Sequence, residues 1–453
     1  MKYLRFYILF VIFISFLGCN KGTEPENKPN TGYTQYGVPF ANVPNTNDII
    51  MYEANIRVFS PGFNLQEITN RIDSIKALSV NVIWLMPIYP IGQVNSVNSP
   101  YSIKNYKEVN PEFGTLADLR NLVSVAHSKN IAVVLDWVAN HTSWDNPWIE
   151  NKAWYTQDGS GNIISPAGTN WADVADLNYD NADMRLAMIN AMKYWVYEAN
   201  IDGFRCDAAD MVPYTFWKQA IDSLKNINTH KLILLAEGGR NDHFTAGFQL
   251  TYGWDFYGAL KNLYSGNLTP AGLFNAHLIE LNSIPSTGNK LRFTTNHDES
   301  AWDKTPYQLF NGKKGALAAS VVTIFLGGVP LIYSSQEVGV SATVPFFTNT
   351  AINWTANNDM FSSYKKMLAF YNSSQTVKSG TLKTYSSPNI LVFEKYTSTQ
   401  EVLIIVNMRN SVQTYTIPVE LNSVLWVNAL TGNLTPLTGQ ITLQAYEYLI
   451  ITK

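Results

Sequence analysis

From Ile49 onward, short and almost wholly apolar runs alternate with stretches of helical period. The runs are Ile50–Phe59, Asn81–Met86, Ile131–Asp136, Ile201–Cys206, Leu232–Glu237, a less distinct one within Phe248–Phe256, Leu291–Asn296 and Val329–Ser334. Leu65–Ser79, Thr115–Lys129, Asp183–Ala199 and Met360–Tyr371 carry the helical pattern, and Thr115 and Asp118 stand where a capping box places its two residues. An apolar run without polar alternation predicts a strand buried on both faces. Such strands separated by helices predict a parallel sheet. Eight strand–helix units in about 330 residues predict an α/β fold, a (β/α)8 TIM barrel.

The helix due after Asp136 is delayed to Asp183. The intervening stretch, rich in Gly, Asn and Trp, predicts a small inserted subdomain after strand 3, spanning residues 142–178. Beyond the last helix the pattern turns to short alternating strands, at Leu391–Lys395, Glu401–Asn407, Gln413–Pro418, Val424–Val427 and Tyr446–Thr452. They predict a C-terminal antiparallel β-sandwich domain over 376–453, after a catalytic barrel over 48–375.

At the other end, Lys2 and Arg5 precede an apolar run, Phe6–Leu17, too short to span a bilayer, which takes about 20 residues. The run ends Phe16-Leu17-Gly18-Cys19, which resembles the lipobox of bacterial lipoproteins. That resemblance implies a signal peptide over 1–18, a lipid on Cys19, export, and anchoring to a bacterial membrane on a periplasmic or cell-surface face. Residues 19–47, rich in Gly, Pro, Asn and Thr, are expected to form a flexible tether.

Composition narrows the partners. A formal net charge of −3 argues against nucleic acid or an anionic surface as the main partner. Two cysteines exclude a disulfide framework, and Cys206, in an apolar strand, is expected to be a small core residue.

The acidic residues then fall at strand ends: Asp136, Asp207, Glu237 and Asp298. All four are expected on the C-terminal rim of one barrel, where barrel active sites lie. A carboxylate ending an apolar strand is costly unless paired or used. An isolated Arg205–Asp207 pair is equally well a structural ion pair, but four converging acids with Arg205, His141 and His297 point to chemistry. Metal-assisted hydrolysis and glycoside hydrolysis compete. The chain has six histidines and no His-x-His or His-x-x-x-His pair, and Arg205 would repel a catalytic metal, which favours the glycosidase.

Asp136-Trp-Val-Ala-Asn140-His141, Gly203-Phe-Arg205-Cys-Asp207, Ala236-Glu237 and Asn296-His297-Asp298 resemble, in order, the four signature regions of the α-amylase family of retaining glycoside hydrolases. Val174-Ala-Asp176-Leu-Asn178 resembles its inserted-subdomain motif, and Gly328-Val-Pro330 through Gln336-Glu337 its strand-eight motif. The resemblance implies Asp207 as nucleophile kept ionised by Arg205, Glu237 as acid and then base, and Asp298 as transition-state stabiliser. It implies Tyr101, His141 and His297 around the sugar on the non-reducing side, with Asp136 in support. It implies a structural calcium, with Asn140 and Asp176 as two ligands. The substrate implied is a starch-like α-glucan, with other glycan-uptake proteins as candidate partners. A transglycosylase, an α-1,6-acting relative and a non-catalytic glucan-binding lipoprotein stand as alternatives. Asp210-Met211 replaces the Lys-His usual in α-amylases proper, Tyr333-Ser-Ser-Gln336 departs from the usual strand-eight stretch, and Asp-Leu-Asn at 176–178 is closer to α-1,6-acting relatives.

Overall fold

The computed structural model describes residues 32–453, of which Gln35–Lys453 form one compact unit. The expected signal and Cys19 lie outside the described residues. Eight parallel strands close into a barrel in sequence order: β1 (Met51–Ala54), β2 (Val82–Leu85), β3 (Ala132–Val138), β4 (Gly203–Asp207), β5 (Ile233–Ala236), β6 (Leu250–Tyr252), β7 (Asn289–Arg292) and β8 (Val329–Tyr333). Inward side chains of alternate positions, among them Met51, Val82, Val134, Leu235, Leu250, Leu291 and Leu331, fill its interior.

Local differences from the sequence reading have physical reasons. The first apolar run is not one strand. It breaks at Asn55, whose side chain accepts from the Arg57 amide and starts a short helix, Ile56–Phe59. The helix expected over Leu65–Ser79 is two, Leu65–Asn70 and Ile72–Ala77, meeting at Arg71. The helix Leu116–Ser128 has its capping box as expected, with both reciprocal Thr115–Asp118 bonds formed. Strand β7 ends at Arg292, earlier than expected, and Asn296 caps the helix His297–Trp302 by accepting from the Glu299 amide at 3.0 Å. His297 and Asp298 therefore lie in the first turn of a helix rather than at a strand end.

The tether expected up to Asn47 is bound to the barrel from Gln35 on. The Tyr36 amide donates to the Tyr197 carbonyl at 2.8 Å, and Arg120 lies over the Tyr36 ring. Phe40 stacks on His127 with centroids 4.3 Å apart, while Val43 joins the barrel core. Composition counted this stretch as polar, but three apolar side chains suffice to dock it on the end of the barrel where the strands begin.

The inserted subdomain hangs on two short antiparallel strands, His141–Ser143 and Val174–Asp176. Its tryptophans divide in role: Trp148 packs on Tyr106 and Trp154, whereas Trp171 faces the cleft beside His141. The C-terminal domain is a five-stranded antiparallel sheet facing a two-stranded one, Gln413–Thr416 with Gln440–Leu443. Trp426, Tyr415, Leu403 and Ile451 are among the side chains that fill the space between. The expected strand at Val424–Val427 shrinks to Val427–Asn428, and Thr381–Tyr385 and Gln440–Leu443, half-exposed and weakly patterned, escaped the reading.

Candidate active site

Register assembles the site. Asp136 on β3 pairs with Arg205 on β4, and Cys206 pairs with Ala236, one residue before Glu237. Arg205 and Asp207, two residues apart, point to the same inner side. Arg205 is fully buried, and its guanidinium gathers the acids. Nη1 donates to Oδ1 of Asp136 at 2.8 Å and to Oδ1 of Asp207 at 2.9 Å, while Nη2 forms an ion pair with Oε2 of Glu237 at 2.8 Å. Nε donates to the Tyr252 hydroxyl oxygen at 3.2 Å, and the cation lies over the Trp84 ring, 4.9 Å from its centroid. Cys206 is buried and free, as expected.

The next residue is strained. Ala208 has φ +42°, a left-handed conformation that costs a non-glycine residue on the order of 1 kcal/mol. Its amide donates to Oε2 of Glu237 at 2.8 Å, and the Ala209 amide donates to the Glu237 carbonyl at 3.0 Å. The kink thus ties the end of β4 to the carboxylate at the end of β5.

A second chain of contacts lies on the far side of Arg205. The Nδ1 atom of His297 is 2.5 Å from Oε1 of Glu53, and Nε2 is 2.8 Å from the Tyr101 hydroxyl. The Tyr101 hydroxyl in turn donates to Oδ2 of Asp136 at 3.2 Å, which also accepts from Trp84 Nε1 at 3.0 Å. Burial opposes a charge on His297, but the carboxylates of Asp298 and Glu53 outweigh it and hold the imidazole up at about 9. As a cation, His297 donates from both nitrogens, to Glu53 and to Tyr101, and every proton in the chain has an acceptor. Across the cleft His141 behaves oppositely. Burial pushes it down to about 4, against a hydrogen bond with the Tyr101 backbone, so it is neutral at pH 7. Asn140 donates to its Nδ1 at 3.3 Å, leaving the proton on Nε2.

Asp207 lies under opposing influences. Burial pushes its carboxyl well up from the ordinary range; Arg205 opposes this, and the negative charges of Glu237, Asp136 and Asp298 add to it. Burial is the larger influence, and Arg205, which also pairs with Asp136 and Glu237, offsets it only in part.

The structure brings together every residue named for the chemistry. Tyr101, His141, Asp207, Glu237, His297 and Asp298 line one cleft of about 700 Å³, with Arg205 and Asp136 beneath its floor. Glu53 was missed, although a carboxylate inside the apolar run at the start of the barrel is the same signal that marked Asp136. Asp210 also acquires a role. Its carboxylate accepts from the amides of Gly239 (2.9 Å) and Arg240 (3.3 Å), and lies 2.7 Å from Nε2 of His243, so it fixes the loop that leaves Glu237. Gly238 leaves room for that carboxylate, since a Cβ would fall 2.2 Å from Oδ1 of Asp210 and displace it.

The expected calcium ligands lie close together, Asp176 on one subdomain strand opposite His141 and Asn140 just before the other strand. The Leu177 amide donates to the Asn140 carbonyl at 3.2 Å, and burial pushes Asp176 up, with a hydrogen bond to Thr156 opposing. Calcium takes six to eight oxygens. Asn140 bonds His141 through Nδ2, which leaves its Oδ1 for a cation, so Asn140 and Asp176 would supply two of those oxygens; among the described residues no three His, Cys, Asp or Glu side chains cluster for a metal.

Known proteins resemble the chain in sequence and fold. The family model for the alpha-amylase catalytic domain matches residues 36–162 and 168–250. Alpha-amylase 3 of Dictyoglomus thermophilum is 28% identical over 365 residues, covering 72% of this chain and 70% of that protein. Alpha-amylase MalA of Haloarcula japonica is 28% identical over 305 residues, covering 64% of this chain but 44% of its own length. The crystal structure of a noncanonic maltogenic alpha-amylase, AmyB from Thermotoga neapolitana, superposes with a TM-score of 0.82 at 25% identity, covering 90% of this chain and 99% of that one.

Proposed function

The chain belongs to the α-amylase family of glycoside hydrolases, and from that premise we propose that it cleaves α-1,4 linkages of starch-like glucans with retention, through a glycosyl ester on Asp207. The observation that carries this reading is the sharing of one guanidinium. Asp207 and Glu237 each contact a different terminal nitrogen of Arg205, at 2.9 and 2.8 Å, so the two carboxyl groups flank a single small space. Close spacing of that kind suits a nucleophile and a proton donor acting on one bond, whereas inversion needs room for a water between them.

In the first step an oxygen of ionised Asp207 attacks the anomeric carbon, the glycosidic C–O bond breaks, and Glu237 gives its proton to the departing oxygen. In the second, water attacks the same carbon, Glu237 takes its proton, and Asp207 leaves as the carboxylate. Cationic His297, Asp298 and neutral His141 line the position of the reacting sugar, and Tyr101 offers it a ring face. A positive His297 also balances carboxylate charge as the sugar becomes cationic in the transition state.

The test is release of reducing ends from soluble starch and maltooligosaccharides by the wild-type chain, Asp207→Asn and Glu237→Gln. Full activity in Asp207→Asn contradicts the assignment.

Export and a lipid on Cys19 are proposed from residues 1–19 alone. Incorporation of labelled palmitate, abolished in Cys19→Ala, tests them; labelling that survives the substitution contradicts the anchor site. The described residues include no helix long and apolar enough to cross a membrane.

A further inference from the structure

We propose that the cleft is blind on the side away from Glu237, so that the enzyme takes sugars from the non-reducing end of a glucan rather than cutting its interior. The inference rests on the reading above, in which Asp207 holds the non-reducing portion and Glu237 protonates the portion that departs.

The blind side is built by two loops joined over β1. Arg57, 3% exposed, is the rivet. Its Nη1 donates to the carbonyls of Asn98 at 2.7 Å and Phe346 at 3.3 Å, and its Nη2 donates to Oδ1 of Asn98 at 3.1 Å. Asn98 completes the join by donating from Nδ2 to the Phe347 carbonyl at 2.6 Å. Asn98 belongs to the loop after β2, and Phe346 and Phe347 to the loop after β8. That second loop is fastened at three further points. The Val344 amide donates to Ser300, Thr350 to Arg57 and Ile352 to Val58, all onto backbone carbonyls at 2.8–3.2 Å. Bonds from one buried guanidinium, charge-assisted, and from the exposed Asn98 amide join the two loops as a wall rather than a flap.

On the cleft side the wall is continuous. Tyr101 meets Phe346 edge-on at 6.0 Å, Phe346 meets Phe347 at 4.9 Å, and Phe347 meets Trp302 at 5.4 Å. Aromatic side chains thus run from the β2 loop across the β8 loop to the helix after β7, immediately behind the Tyr101–His297 pair. The inserted subdomain lines the cleft through Trp171, and the rim beyond β5 is lower. Strand β6 ends at Tyr252, and its helix, Trp254–Tyr264, begins after Gly253 alone, so no loop stands above that part of the rim. The low side lies next to β5 and Glu237, where the leaving portion must exit. A glucan whose interior lay across Asp207 would have to continue through Phe346 and Phe347. One entering end first would not.

The experiment compares two maltoheptaosides, one with a free non-reducing end and one with O4 and O6 of its terminal sugar bridged by a small blocking group. Consumption of each is followed by chromatography. The wild-type chain is expected to consume the free substrate and to use the blocked one slower by on the order of tenfold or more, the discrimination that exclusion of one group supplies. Equal consumption of the two overturns the inference. Phe347→Ala and Arg57→Ala are expected to raise the blocked-to-free rate ratio toward one. An unchanged ratio in a folded Phe347→Ala protein overturns the wall as its cause, even where Arg57→Ala fails to fold. A wild-type chain that consumes neither substrate overturns the hydrolase reading, and this inference with it.

Discussion

His297 Nδ1 lies 2.5 Å from Oε1 of Glu53, a fully buried carboxylate on the first barrel strand. This contact and the neighbouring Asp298 hold the imidazole at about 9 although burial opposes its charge. A histidine whose folded value is raised contributes stability that is complete below its ordinary value near 6.5 and is lost as pH rises through about 9. Glu53→Gln removes one of the two charges. The midpoint of His297, followed by NMR of the imidazole carbons, is expected to fall toward 6.5, and the alkaline limb of kcat to move with it. A midpoint that stays at about 9 contradicts the role given to Glu53.

Asp207 carries the opposite linkage for an acid. Its folded value is raised, so folding favours the protonated form, and that advantage is lost as pH rises. Asp207→Asn keeps the shape without the charge. It is expected to abolish activity while raising stability by about 1 kcal/mol, the scale seen when an active-site group held at a cost is relieved. Thermal unfolding at pH 7 checks this, with a lowered midpoint as the contrary result. In the wild type, the acid limb of kcat/KM is expected above the ordinary carboxylate range.

Asp210 uses its carboxylate as a brace for the Glu237 loop. Asp210→Ala releases two backbone amides and His243. The loss of stability is expected to be about 1 kcal/mol, the low end for such bonds because the side chain is 43% exposed. The larger effect is expected on kcat, about tenfold or more from a small displacement of Glu237, with KM changing less. Asp210→Asn, which keeps an oxygen for the amides, is expected to recover part of it. Gly238→Ala is expected to reproduce the kcat loss by pushing Asp210 aside. An Asp210→Ala protein with unchanged kcat contradicts the brace.

Asn140 and Asp176 would supply two of the oxygens of the expected calcium. A ligand that binds only the folded state raises the unfolding midpoint. Dialysis against EDTA is therefore expected to lower the midpoint and CaCl2 to restore it. A midpoint that neither treatment moves contradicts the expected ion.

The barrel strands and strand-end acids were legible because each is a local signal, an apolar run interrupted by one charge. Asp136, Asp207 and Glu237 converge for that reason. Glu53 carried the same signal but was lost inside a run read through Asn55 into the following helix. The wall around Phe346 was not legible at all. Arg57 and Asn98 are 41 residues apart, and Arg57 and Phe346 are 289 apart, and no local pattern marks such contacts. The full surroundings of Asp207 were hidden for a related reason. The sequence displays one Arg–Asp pair, while the fold sets three acids on that one cation.

The account rests on Asp207 and Glu237 acting from opposite sides of one sugar linkage, close enough for a covalent intermediate. Proton NMR of the anomeric region during the first minutes of maltooligosaccharide hydrolysis tests this directly. The account predicts that the α-anomer appears first and the β-anomer grows in only by mutarotation. Initial release of the β-anomer would contradict it.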